Sequence, residues 1–96
     1  MYVVETCDAS DAPDEREYVA VGQYAKASDA IAAAQAMIEE YLSMALMAGR
    51  KADEVVDDWR REGEIPRITV RGSGAPVVFD PVAFAQACAV RLQRRI

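Results

Sequence analysis

Residues Ser28–Ala48, SDAIAAAQAMIEEYLSMALMA, decide how the rest of the chain is read. Ser28 is a preferred N-cap, because its hydroxyl can accept a hydrogen bond from a free amide of the first turn. Asp29 follows, where a negative charge complements the helix dipole. Ile31, Ala34, Ile38, Tyr41, Leu42 and Ala45 recur at three- and four-residue steps, so they share one side of a helical period. Gln35, Glu39, Glu40 and Ser43 lie away from the middle of that stripe, and Gly49 follows as a stop. At ~1.5 Å per residue such a helix is about 30 Å long, enough to cross a small sheet. Its alanines (Ala30, Ala33, Ala34, Ala45) let it sit close against whatever it covers.

The flanking segments are short and need this helix as a packing partner. Upstream, Tyr2–Cys7 (YVVETC) is β-branched and aromatic and is expected to be a strand. The polar stretch Asp8–Arg16 is a loop, and Glu17–Tyr24 (EYVAVGQY) is a second strand. Alternation places Tyr18, Ala20, Gly22 and Tyr24 on one face of it, and Val19, Val21 and Gln23 on the other. Downstream, Gly49–Lys51 is a turn and Glu54–Glu62 a short helix beginning near Asp53. Val55, Val56 and Trp59 form its apolar side, Asp57 and Arg61 are spaced for an ion pair, and Gly63 ends it. Arg67–Arg71 alternates Ile68 and Val70 with Arg67, Thr69 and Arg71, the pattern of a strand buried on one face. Gly72-Ser73-Gly74 is expected to turn a hairpin into Ala75–Phe79, with Pro76 confining that strand to an edge. Asp80-Pro81 is a helix start, and the last helix runs from Val82 to about Arg95.

The expected fold is therefore one α+β domain over residues 1–96. Two hairpins form a four-stranded antiparallel sheet in ββα-α-ββα order, with the helices packed on one face. The other face would stay open and carry Arg67, Thr69 and Arg71 beside one of the two sets of residues from the second strand. This layout is similar to that of small bacterial proteins of uncharacterised function. The residues that carry the resemblance are Gly22, Ala30, Ile31, Ala34 and Glu40 in the middle, and Phe79, Asp80 and Phe84 at the start of the last helix. These are packing and capping positions, so the resemblance brings no activity with it.

The chain has 96 residues, 52% of them apolar and 28% charged, which is ordinary for a globular domain. Its formal charge of −5 is unevenly spread, because most of the acidic excess lies before residue 41. That makes nucleic acid or an anionic membrane an unsuitable partner for the whole molecule. The start of the chain lacks the basic and apolar pattern of a secretory signal, and no run approaches the ~20 apolar residues of a bilayer span. The expectation is a cytoplasmic protein in which Cys7 and Cys88 are buried, reduced thiols.

Chemistry is constrained mainly by what is missing. Without histidine, Ser-His-Asp and Cys-His nucleophile systems cannot be built, and two distant cysteines cannot supply a structural zinc site. No Gly-rich phosphate loop is present, so neither a catalytic residue, a metal ligand nor a cofactor is assigned. Carboxylates cluster at Asp8, Asp11, Asp14 and Glu15 and at Asp53, Glu54, Asp57 and Asp58, in patterns that suit solvated acidic surfaces. The one suggestive set is Arg67 and Arg71 beside Tyr2, Tyr18 and Tyr24, should they share the open sheet face. Arg and Tyr are favoured interface anchors. The leading expectation is a non-catalytic interaction module that forms a homodimer through that face. The alternatives are a small-ligand protein or enzyme using carboxylates and arginines, and nucleic-acid binding through Arg67 and Arg71.

Overall fold

β1 (Tyr2–Asp8) is hydrogen-bonded on both sides, to β2 (Val19–Tyr24) and to β3 (Glu64–Val70), giving an antiparallel sheet of order β2-β1-β3. The computed structural model describes residues 1–95. Among them the chain also forms α1 (Ala27–Met47), α2 (Ala52–Glu62) and α3 (Pro81–Gln93). Along β1, the central strand, Val3, Val4, Thr6 and Cys7 are all buried.

The class is α+β, but the sheet has three strands, not the expected four. Ala75–Phe79 is irregular and pairs with nothing. A returning strand there would itself have carried Pro76, so the new ladder would have lacked an amide donor in its middle. Gly72 (φ +82°) and Gly74 (φ +155°) still turn the chain after β3. The segment instead delivers Phe79 into the interior, where it packs against both hydrophobic clusters of the molecule. Its ring lies 6.4 Å from that of Phe84, tilted by 40°. Burial of one aromatic ring between two cores replaces the hydrogen bonds of an edge strand.

α1 lies across one face of the sheet. Ala30 and Ala34 sit against Val4, with Tyr2, Tyr24, Met37 and Ile68 packed around them, and the small side chains allow this close approach. The C-terminal half of α1 continues past the sheet and meets α2 and α3. There Ile38, Leu42 and Leu46 join Val55, Val56, Trp59, Cys88 and Leu92 in the larger cluster. The result is a slab with principal extents of 44 × 30 × 17 Å.

Local signals explain most element ends. The Asp80 carboxylate accepts the Ala83 amide at 3.0 Å, with Pro81 in the first turn. Gly63 ends α2, its amide donating to the Trp59 carbonyl at 2.9 Å. A Cβ on Gly63 would lie 2.6 Å from Trp59 Cδ1 and 2.8 Å from the Trp59 carbonyl oxygen, so this close approach requires glycine. Trp59 is 1% exposed and its indole N–H donates to the Glu64 carbonyl. Two expectations are corrected. Ser28 does not cap α1, which starts at Ala27 after Lys26 with no side-chain cap. Arg61 bridges to Asp58 at 2.6 Å and reaches only the backbone carbonyl of Asp57.

Phe79→Ala is expected to lower the unfolding free energy by about 2–4 kcal/mol, less than a wholly buried ring because Phe79 is half-buried. Val78→Ala, at a side chain that is 96% exposed, should change it by less than ~0.5 kcal/mol. Gly63→Ala should cost about 1–3 kcal/mol through the clash with Trp59, and Asp80→Ala about 1 kcal/mol through loss of the cap. Chemical denaturation of each variant checks the four values.

Candidate functional site

The pleat of β1 sorts the candidate residues. Residues paired across a ladder share a face, so Val4 goes with Gly22 and Ile68 under α1, while Glu5 goes with Ala20 and Arg67 on the opposite side. Val3 lies on that opposite side and is fully buried without belonging to either cluster, flanked by Gln23 and Thr69.

Strand β2 does not keep one alternation along its length. The register shifts between Val4 and Glu5, which leaves Val21 as an extra residue between Gly22 and Ala20. The four residues expected on one face of the second strand are thereby split. Tyr24, with Tyr2 opposite it, packs on the helix side against Ala30 and Ala34. Tyr18 lies on the other side. Tyr2 and Tyr24 therefore leave the proposed site, because they belong to the core under α1.

Tyr18, Arg67 and Arg71 do come together. The Arg67 guanidinium stacks 3.5 Å from the centre of the Tyr18 ring, a cation–π contact. Its Nε donates to Glu5 Oε1 at 3.0 Å, and Arg71 Nη2 is 3.9 Å from Glu5 Oε2. Glu5, which the sequence pattern alone does not single out, organises the group. Its signal was an acidic residue inside an apolar strand, on the same parity as Val3 and Cys7. Its side chain is only 13% exposed, against 49% for Arg67 and 58% for Arg71. Cys7 lies beneath this group, buried and free, as does Cys88 in the larger cluster.

Hydrogen bonding to the neighbouring Cys7 thiol, followed by burial, raises the pKa of the Tyr18 phenol, while the Arg67 and Arg16 guanidiniums act in the opposite direction. A raised phenol pKa means that the folded state holds the proton more tightly than the unfolded chain. Its contribution to stability is complete below the ordinary tyrosine pKa of ~10 and is lost as pH rises through the raised value.

The arrangement offers binding chemistry. Among the described residues Thr6 is the buried polar residue, and the enclosed carboxylates Glu5 and Asp58, 13% and 14% exposed, are both engaged by arginines. The hollow between α2 and α3, lined by Ala52, Asp53, Val56, Gln86, Ala89 and Val90, is mostly apolar and holds one exposed carboxylate. No group of three or more acidic or cysteine side chains among the described residues is placed to hold a metal ion. No described helix is long and apolar enough to cross a membrane.

Tyr18 should ionise above the usual tyrosine range in an ultraviolet titration, and Arg67→Ala should move it higher still. Tyr18→Phe should flatten part of the alkaline loss of stability relative to the parent protein. Tyr41 and Cys88, both raised by burial, act with the same sign.

No family model, curated protein or solved structure matches the chain.

Proposed function

We propose that this chain is a small, non-catalytic interaction module that associates with a second copy of itself through the open face of its sheet. The observation that carries the reading is the ordered Tyr18–Arg67–Glu5–Arg71 group on the side of the sheet that α1 leaves uncovered. Tyr and Arg held in fixed geometry lose little further freedom on binding, which is why they anchor interfaces.

Two further features favour the face over the strand edges. The β2 edge is bent by the bulge at Val21, and the β3 edge contains Pro66, devices that discourage strand addition. The face is also self-complementary. It carries one carboxylate between two guanidiniums, so a two-fold axis can bring an acid of one copy to an arginine of the other. The Glu5 carboxylate between the two guanidiniums weighs against nucleic acid, because it would face the phosphates. We assign the module to the cytoplasm, whose reducing conditions suit two free, buried thiols.

Sedimentation velocity over a micromolar concentration series tests the reading. A reversible dimer is expected, weakened about tenfold or more by Tyr18→Ala or Arg67→Glu. A strictly monomeric species throughout the series contradicts it.

A further inference from the structure

The open face carries a small positive excess, Arg67 and Arg71 sharing the one carboxylate of Glu5, so the acidic excess of this molecule lies elsewhere. One concentration of it surrounds the β2 bulge. Thr6, Val19 and Val21 there border a hollow of about 420 Å³ whose rim carries Asp8, Asp11, Glu17 and Glu64. Val19 is 62% exposed and Val21 52% exposed, although both are strand valines. None of the four rim carboxylates forms a salt bridge among the described residues. The nearby cation, Arg16, is turned onto the Ala9 and Asp11 carbonyls. Asp8 is held below the usual carboxylate range by hydrogen bonds from Ser10, so it stays ionised.

The opposite composition occurs at the end of α3. Val90, Arg91, Arg94 and Arg95 are all exposed, and their spacing puts them along one side of the last turns. Arg91 makes a loose bridge to Glu39 at 3.8 Å and donates to Cys88 Sγ at 3.6 Å, whereas Arg94 and Arg95 make no salt bridge among the described residues. Within one chain this end packs elsewhere, with Gln93 accepting the Ala52 amide at the start of α2. One surface thus joins exposed valines to an acidic rim without salt bridges, and the other joins Val90 to arginines of which Arg94 and Arg95 have no salt-bridge partner among the described residues.

We infer that the end of α3 of one copy docks into the β2 hollow of a second copy, with Arg91, Arg94 and Arg95 against the acidic rim and Val90 against Val19 and Val21. Two copies related by a two-fold axis make this contact twice, so the arrangement closes as a dimer. The inference rests on the reading that the partner is a second copy. It adds a charged contact, distinct from the open face, that sets how the copies are oriented. Because the pairing is between exposed charges, it weakens once the screening length falls from ~10 Å at 0.1 M salt to ~3 Å at 1 M.

Charge exchange tests it, using sedimentation of the full chain with circular dichroism to confirm folding. Arg94→Glu with Arg95→Glu should weaken the dimer about tenfold or more, and so should Asp11→Lys with Glu17→Lys. All four substitutions in one chain should restore association towards the parent value. A dimer that is indifferent to both reversals, or a fourfold variant no better than either pair, overturns the inference. If the dimer is indifferent to these changes but is lost in Arg67→Glu, the open-face reading stands without it. A monomer under every condition removes both.

Discussion

The pleat of a single strand governs the molecule. β1 is the one strand paired on both sides, so its odd and even residues must meet different surroundings at once. Val4 on one side needs the alanines of α1 close enough to exclude water, and Ala30 and Ala34 supply that approach. Glu5, the next residue, is thereby forced to the opposite side, where its charge is met by Arg67 and Arg71. A shift of one residue would place a carboxylate under α1 and valine in water, which makes this register strongly preferred. The core and the candidate site are therefore two consequences of one alternation.

Phe79 links that sheet-centred core to the second one. It touches the small cluster around Val4 and the large cluster around Trp59, so the two halves of the slab are held by a ring as well as by α1. The irregular path of residues 75–80 follows from this. With a proline at position 76 a ladder there would be incomplete, whereas the Phe79 ring gains a partly buried environment against both clusters.

Much of this was legible in the residues, and the failures have physical causes. Helical periodicity located α1 to within a residue, and Asp80-Pro81 announced α3, because caps and stripes are local. Strand β3 was recognised from Ile68 and Val70 but extended backwards to Glu64, since ladder pairing with β1 outweighs the interruption at Pro66. The expected fourth strand fails because a turn signal and an apolar run do not reveal that Phe79 gains more by packing between two clusters than Ala75–Phe79 gains as an edge. The site was half legible. Arg67 and Arg71 were placed by simple alternation, whereas the tyrosines were divided by a bulge at Val21 that leaves no mark in composition or period. Glu5 is not legible locally, because its partners across the strands are more than 60 residues away in the chain.

The open face is defined by what α1 covers and what it leaves, and neighbouring positions of β3 report on both. Ile68 packs against the α1 cluster, and Thr69 pairs with Val3 on the opposite side. Single cysteines placed at each position, in a chain whose native thiols are buried, can be compared by their rate of reaction with a soluble thiol reagent. The result expected is fast labelling at Thr69→Cys in dilute solution that slows as concentration rises, with Ile68→Cys slow throughout. Equal, slow labelling at both positions in dilute solution would show that the face is already covered within one chain, and would contradict a one-sided sheet.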